Sequence, residues 1–203
     1  MCRVWVLCLT GVTLAALLSA SPVQAGSNSA KFLLPQRTIS APAGFAGLCA
    51  KYRWVCAPSA RSNISEDATL RAAKAINNRV NRQVRQIEDQ VQYGREELWT
   101  LPTARGGDCE DLVLLKKKLL IEHGIPSENL LIATVLDRKL NSHAVLILRT
   151  AGGDLVLDSL TNKIMPWKRT GHTFLKLQNP DALNQWHAVL AGGVIKDRPT
   201  ASR

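Results

Sequence analysis

Apolar side chains recur at helical spacing in two segments of the chain. The first helix is predicted from Asn63 onward, with Glu66 as its capping-box partner. Its apolar positions are Leu70, Ala73, Ile76, Val80, Val84 and Ile87. A second helix is predicted to begin at Asp108 and to stop at Gly124. Its inward stripe consists of Leu112, Leu115 and Leu119.

Beyond the second helix, the pattern changes from helical spacing to short continuous runs. These runs are rich in branched apolar residues and are separated by turn residues, which is typical of antiparallel strands. They cover residues 130–136, 143–148 and 154–158. Because the helices come first and the strands afterwards, the chain is predicted to have an α+β fold with one packed core.

The amino-terminal residues 1–25 have the pattern of a secretory signal peptide. Arg3 supplies a positive charge, residues 4–18 form an apolar stretch that is short for a membrane span, and cleavage is predicted after Ala25. Residues 26–62 are predicted to form an extended arm, residues 63–190 the domain, and residues 191–203 a tail. The protein is therefore expected to be periplasmic or secreted, without stable membrane insertion after cleavage.

Composition and charge narrow the classes of protein. A hydrophobic content of 46% with 13 Gly and 9 Pro excludes a disordered or fibrous chain. The net charge of +10 falls to +9 when Arg3 is removed. Arg79, Arg82 and Arg85 recur at helical spacing, either as a solvated face or as a surface that attracts an acidic partner. Nucleic acid is not an expected partner, since no binding motif or interleaved aromatic residue accompanies these charges.

Export determines which cysteines the mature protein keeps and whether they can form a disulfide. Cys2 and Cys8 leave with the signal peptide, which leaves Cys49, Cys56 and Cys109. In an oxidising compartment Cys49 and Cys56 can form a disulfide across six intervening residues. The remaining thiol is then either buried and inert or retained for its reactivity.

The surroundings of Cys109 favour reactivity. Asp108 is a good helix N-cap after two glycines, so Cys109 falls in the first helical turn, where free N–H groups lower the pKa of a thiol. Three neighbouring carboxylates oppose this effect. A cationic partner is therefore needed, and a histidine that takes the thiol proton would supply it.

Among the four histidines, His143 is the best candidate for that base. It opens one predicted strand, and the next strand ends at Asp158, which gives the order of nucleophile, base and orienting acid of a triad. His123 lies in the last turn of the second helix. His172 and His187 lie in polar stretches with no acid placed to orient them.

Strand register decides whether this pair can meet. A two-residue turn at 152–153 would leave His143 four residues beyond the position opposite Asp158, which is too far. A loop over residues 150–153 would instead oppose Val145 to Asp158 and place His143 diagonally, roughly 7 to 8 Å away. The triad therefore requires the longer loop, a shifted turn or a bulge.

Three blocks of the sequence resemble the bacterial transglutaminase-like cysteine proteinases, the family of the periplasmic LapG-type proteases. The blocks are GDCED at 107–111, SHAVL at 142–146 and LVLDSL at 155–160. The resemblance implies a papain-like, transglutaminase-type core, in which helices carrying the cysteine pack on an antiparallel sheet carrying the histidine and the aspartate. It also implies Cys109 as nucleophile, His143 as base and Asp158 as orienting acid.

The resemblance further implies calcium beside the cysteine, with Asp108, Glu110 and Asp111 as the matching acids. Three carboxylates within four residues repel one another unless a cation joins them, and hard oxygen ligands suit calcium. The alternative is that Asp108 is only a helix cap and Asp111 only complements the helix dipole. The implied substrate is a large surface adhesin whose cleavage releases biofilm cells, and a regulatory receptor in the inner membrane remains an open partner.

Three functions are compatible with these residues. The first is an exported cysteine endopeptidase, the second a transglutaminase-type acyl transferase with the same triad, and the third a non-catalytic calcium-dependent binding module. In either enzyme the oxyanion donors are predicted to be the Cys109 N–H and one upstream side chain, for which Gln92 is a weak candidate. Trp54, Trp99 and Trp186 are expected to form core or cleft wall.

Overall fold

The computed structural model describes residues 31–59 and 63–195. The predicted signal peptide and most of the predicted tail lie outside these residues. Within the described ranges, no helix combines the length and apolar character needed to cross a membrane. Helices and an antiparallel sheet are both present, which confirms the α+β prediction.

Seven antiparallel strands form a single sheet. Their order across the sheet is β1-β7-β6-β2-β3-β4-β5. The strands are β1 Thr38–Ile39, β2 Leu130–Leu136, β3 Ser142–Thr150, β4 Gly153–Leu157, β5 Met165–Pro166, β6 Thr173–Asn179 and β7 Ala182–Ala191. The three strands predicted from apolar runs correspond to β2, β3 and β4. The long strands β6 and β7 were not predicted, because register shifts in their pairing interrupt the alternation of buried and exposed residues.

Five α-helices accompany the sheet in the part of the chain that the structure describes. They are α1 Leu48–Lys51, α2 Arg53–Cys56, α3 Glu66–Gln83, α4 Asp89–Tyr93 and α5 Cys109–Glu122. The helix predicted from Asn63 begins three residues later, because Ser65 is the N-cap and its Oγ accepts a hydrogen bond from the Ala68 N–H (3.3 Å). It also ends at Gln83, before the predicted apolar position Ile87.

Helix α5 lies at the centre of the molecule, against β3 and α3. Leu112 is fully buried as predicted, but Leu115 and Leu119 are only half-buried. Lys116 and Lys117 are completely buried instead. A helix packed on most of its circumference has no single apolar stripe, so the predicted inward face was too narrow.

The two buried lysines differ in their contacts. Lys117 Nζ donates to the carbonyl of Leu130 and to Gln178 Oε1 (3.3 Å), whereas Lys116 Nζ has no hydrogen-bond partner among the described residues. Burial lowers the pKa of each lysine to about 7.

The described part of the predicted arm is more structured than the sequence indicated. It contains β1, α1 and α2, and its side chains Phe45, Leu48 and Val55 are buried in the main core. Cys49 and Cys56 form the predicted disulfide, with their Cα atoms 5.5 Å apart. The arm is therefore integral to the packed domain.

Thiol labelling of the folded, exported protein is expected to find one reactive cysteine, Cys109, because Cys49 and Cys56 are paired. Replacing both with alanine should lower the free energy of unfolding by about 2.5 kcal/mol, the loop entropy of a short cross-link. Denaturant unfolding of the double variant measures this loss. Three labelled thiols in the folded protein would contradict the pairing.

Candidate active site

Two glycines bring the chain to the start of α5. The Gly106 φ is +129°, and a Cβ at this position would lie 2.1 Å from the carbonyl oxygen of Arg85. A Cβ at Gly107 would lie 2.5 Å from the Asp111 carboxylate. Asp108 follows as the N-cap and accepts from the Asp111 N–H at 3.5 Å. The backbone therefore needs both glycines to place Cys109 as the first residue of α5.

The pairing of β3 with β4 brings His143 and Asp158 together. Leu146 lies opposite Leu157, and the same register would place Val145 opposite Asp158. This register is reached through the shifted turn and not the longer loop, because pairing continues to Thr150 and Gly153 and leaves a two-residue turn at 151–152. His143 Nε2 lies 2.8 Å from Asp158 Oδ1. A proton on Nε2 leaves the other ring nitrogen, Nδ1, able to act as a base.

The Asp158 carboxylate is buried and strongly hydrogen-bonded. Burial raises the pKa of Asp158, but hydrogen bonds from His143, His172 and the Leu160 N–H outweigh it and hold that pKa well below its usual range. The acid is therefore ionised at neutral pH. An ionised acid favours the imidazolium form of a histidine that has taken up a proton.

Cys109 and His143 line one open cleft of about 780 Å³. The thiol is half-buried, and Cys109 Sγ donates to Glu110 Oε2 at 3.0 Å. Burial raises the pKa of Cys109 and the Glu110 carboxylate raises it further, while a hydrogen bond from the Ala144 backbone lowers it. Without a compensating positive charge, the thiol therefore stays protonated.

Three buried carboxylates meet beside the start of α5. One oxygen from each of Asp89, Asp108 and Asp111 lies within 4.8 Å of the others. Asp111 Oδ1 accepts from the Thr100 N–H (2.9 Å), and an oxygen of Asp89 accepts from the Leu98 N–H. The second oxygens, Asp111 Oδ2 and Asp89 Oδ1, are buried without a hydrogen-bond partner among the described residues.

Burial and mutual repulsion disfavour the ionised forms of the acids in this cluster. Burial, reinforced by the neighbouring acids, raises the pKa of Asp108 to about 8 and that of Asp111 to about 7. The pKa of Asp89 is raised by burial as well. Unpartnered carboxylate oxygens that are this close together are suitable ligands for a hard cation.

The cluster differs in one member from the acids expected to hold a metal. Asp108 and Asp111 meet as expected, but the third acid of the cluster is Asp89, while the Glu110 carboxylate accepts from the Cys109 thiol. Asp89 stands 19 residues before Asp108, next to Glu88 in a segment without periodic signal. Its place in the sequence therefore gave no indication that it would join this cluster.

His172 is the second residue that sequence reasoning missed. The expectation that no acid orients it was wrong, because His172 Nε2 lies 2.8 Å from Asp158 Oδ2. Strand pairing brings His172 towards His143, since Thr173 of β6 pairs with Leu136 of β2, which pairs with Ser142 of β3. The two imidazole rings pack edge to face, with their centres 5.9 Å apart. The signal was missed because β6 was not recognised as a strand.

The predicted oxyanion side chain is not at the cleft. The Gln92 amide donates to the Tyr93 hydroxyl (2.5 Å) and the Gly106 carbonyl (3.4 Å), and Gln92 is not among the residues that line the cleft. Gln86 does line it, and its amide donates to the Ser159 carbonyl at 3.4 Å. The upstream amide near Cys109 is therefore that of Gln86.

The tryptophans occupy the positions expected for core and cleft wall. Trp99 and Trp186 are buried and pack edge to face, and Trp99 also forms part of the cleft. Trp54 is half-buried against Tyr52. Arg79, Arg82 and Arg85 are exposed, but only Arg79 and Arg82 lie on α3, because the helix ends before Arg85.

Comparisons with known proteins give a family for the chain and a likeness of fold. A family model described as bacterial transglutaminase-like cysteine proteinase matches residues 36–193, which is most of the chain. No curated protein matched. The fold also resembles solved structures of LapG from Legionella pneumophila. One of these is 26% identical with a TM-score of 0.51, over 59% of this chain and 69% of that one.

Two further forms of the Legionella protein are similar in fold. The calcium-bound form is 20% identical with a TM-score of 0.52, over 79% of this chain and 88% of that one. The EGTA-treated form is 26% identical with a TM-score of 0.48, over 55% of this chain and 63% of that one. The match with the EGTA-treated form thus spans less than two thirds of its length.

Proposed function

Because the chain belongs to the bacterial transglutaminase-like cysteine proteinases, we propose that it is an exported cysteine endopeptidase with Cys109, His143 and Asp158 as its triad. The observation that carries the proposal is a single cleft lined by the Cys109 thiol, at the N-terminus of α5, and by His143. The Nε2 atom of His143, on the other side of its ring from Nδ1, is hydrogen-bonded to the buried Asp158 carboxylate. These are the three groups that nucleophilic acyl chemistry requires.

In this mechanism His143 Nδ1 takes the proton of Cys109, and the thiolate attacks the carbonyl carbon of the scissile peptide bond. Asp158 remains ionised and stabilises the imidazolium through Nε2. The oxyanion accepts hydrogen bonds from the Cys109 N–H and the Gln86 amide. The imidazolium then gives its proton to the leaving amine, and the thioester that remains is hydrolysed by water, with His143 again as the base.

A calcium ion is the cofactor that the acidic cluster fits. Asp89, Asp108 and Asp111 would hold it, since two of their oxygens are buried without a partner among the described residues. A calcium-bound form is known for the Legionella protein whose fold this chain shares. When bound, a divalent cation would cancel the negative charge that opposes thiolate formation at Cys109.

The proposed substrate is a protein at the cell surface or in the periplasm, such as a biofilm adhesin. An open cleft of about 780 Å³ accepts an extended polypeptide segment more readily than an enclosed pocket would. The Cys49–Cys56 disulfide supports an oxidising compartment. An adhesin is proposed because the sequence blocks around the three proposed catalytic residues resemble those of the family, and that resemblance implies such a substrate.

The experiment that tests the proposal separates hydrolysis from acyl transfer. The protein, with calcium present, is incubated with a library of proteome-derived peptides and with a fluorescent primary amine. We expect new amino termini at a restricted set of sequences, without incorporation of the amine, because water is the acceptor. Mass spectrometry identifies both products.

Each alternative outcome of that experiment contradicts endopeptidase activity. Amine incorporation without new termini would identify a transglutaminase-type acyl transferase, which uses the same three residues. Neither product, from a protein whose Cys109 is freely alkylated, would favour a calcium-dependent binding module. The matched control is Cys109→Ala, which removes the sulfur from the cleft.

A further inference from the structure

We propose that His172 is a positioning residue of this site, which holds the Asp158 carboxylate in the orientation that His143 requires. The inference rests on the proposed triad and adds a fourth side chain to it. His172 does not line the cleft that contains Cys109. Its ring packs edge to face against that of His143, with ring centres 5.9 Å apart, and its Nε2 is hydrogen-bonded to Asp158.

The carboxylate of Asp158 is held by donors on both oxygens. Oδ1 accepts from His143 Nε2 (2.8 Å) and from the Leu160 N–H (2.9 Å), and Oδ2 accepts from His172 Nε2 (2.8 Å). Asp158 is 4% exposed. Without His172, Oδ2 has no other hydrogen bond in the described structure. A buried carboxylate oxygen without a partner is costly, so the side chain would turn towards other donors.

Cationic donors line the same cavity as Asp158. Arg138, Lys139 and Lys163 line, together with Asp158 and His172, a second cavity of about 660 Å³. These cations are alternative partners for a carboxylate that His172 has released. Rotation towards them would withdraw Oδ1 from His143, because the two oxygens move together about the same bond.

His172 itself is fixed by its surroundings. Its backbone N–H donates to Thr170 Oγ1 (3.1 Å), and the Thr170 hydroxyl donates to the Trp167 carbonyl (2.8 Å). The imidazole ring packs edge to face against Phe174, with ring centres 6.4 Å apart. The histidine can therefore hold Asp158 without moving itself.

The unused nitrogen of His172 also fits this role. Nδ1 is buried and has no hydrogen-bond partner among the described residues. With the proton on Nε2, Nδ1 carries only a lone pair, and the ring donates a single hydrogen bond. That bond goes to Asp158, so the single hydrogen bond that the ring donates is made to the acid of the triad.

The test compares His172→Leu with His172→Gln. The glutamine amide can donate to Asp158 Oδ2 as Nε2 does, whereas leucine fills the space without a donor. We expect His172→Leu to lower kcat by roughly 10- to 100-fold at nearly unchanged KM, the cost of a misplaced catalytic group. His172→Gln should recover most of that loss. The substrate is a peptide found in the library experiment, and calcium is kept saturating.

A control and a second readout keep the test decisive. His187→Leu removes another histidine of the sheet, remote from Asp158, and should leave kcat unchanged. In proton NMR, the hydrogen-bonded Nε2–H of His143 should persist in His172→Gln and disappear or shift in His172→Leu. This signal needs no substrate, so it tests the positioning role even if the wild type cleaves no peptide and the proposed function fails.

Two results would overturn the inference. One is a His172→Leu variant with the wild-type kcat and an unchanged His143 signal. The other is an equal loss of kcat and melting temperature in the Leu and Gln variants. In that case the hydrogen-bond donor of glutamine would not restore what the histidine does, and His172 would have only a structural role.

Discussion

Cys109→Ala is expected to abolish peptide cleavage, with kcat/KM reduced by roughly 10⁴-fold or more, while the protein stays folded. The thiol is the only proposed nucleophile, and no side chain in the cleft can take its place in forming a thioester. The fold should be retained, since alanine is a good helix former and the Asp108 cap is unaffected. Cleavage is measured with a peptide from the library, and folding by thermal unfolding.

Cys109→Ser is the matched variant for this prediction. It restores a hydroxyl of nearly the same size but of much lower acidity, so it should be almost as inactive as the alanine variant. Substantial activity in Cys109→Ser, together with none in Cys109→Ala, would mean that the reaction does not require a thiolate at residue 109. Undiminished cleavage by a folded Cys109→Ala protein would remove the nucleophile assignment.

Adding calcium to the chelated protein is expected to raise its melting temperature and to speed alkylation of Cys109. A ligand at one hundred times its Kd stabilises the folded state by about 2.7 kcal/mol, which corresponds to roughly 5 to 10 °C for a domain of this size. Alkylation should accelerate because a cation at the cluster opposes the carboxylates that raise the pKa of the thiol.

The effect of calcium on stability should grow with pH. The pKa of Asp108 is about 8 and that of Asp111 about 7 in the folded, metal-free protein, against 3.8 for an ordinary aspartate. At Asp108 and Asp111 the folded state therefore binds more protons than the unfolded state between about pH 4 and pH 8. Lys116 and Lys117, whose pKa is about 7, act in the opposite direction at the upper end of this range, with and without calcium alike. The two aspartates contribute a loss of stability to the metal-free protein as the pH rises through that range. Calcium holds the carboxylates ionised and should offset this loss, which melting curves at pH 5 and pH 8 would measure.

Two isosteric substitutions identify the acids that bind the metal. Asp89→Asn neutralises the acid that the structure adds to the cluster, and Glu110→Gln neutralises the acid that contacts the thiol. We expect the calcium response to disappear in the first variant and to persist in the second. The reverse result would favour the set expected from the sequence. If the wild type does not respond to calcium at all, the acids are only a helix cap and a charged turn.

The sequence predicted the parts of the site that depend on local chemistry. Asp108 caps α5 and Cys109 begins it, as the two glycines and the N-cap residue indicated. The register of β3 with β4 would place Val145 opposite Asp158, which is what a contact between His143 and Asp158 required. The cap depends on a few neighbouring residues, so propensity was sufficient to predict it. The register was only a requirement of the triad, because the sequence left a longer loop, a shifted turn and a bulge open.

The residues that were missed reach the site from distant parts of the chain. Asp89 comes from α4 and His172 from the end of a loop before β6, and neither is close in sequence to the residues it contacts. Lys116 and Lys117 were also unexpected in the interior, because burial of a charged side chain depends on the elements that surround its helix. Only tertiary packing determines these positions, and periodicity within one segment does not report it.

The two outer strands of the sheet also bear on self-association. An unpaired strand edge is a template on which a second chain can add its own strand. Here both edge strands are only two residues long, and Pro166 at one edge has no N–H to offer. At the other edge, residues 36–39 cover part of the ten-residue strand β7. Removal of this segment by a protease would open β7 to intermolecular pairing, so the amino-terminal arm also protects the protein from edge-to-edge aggregation.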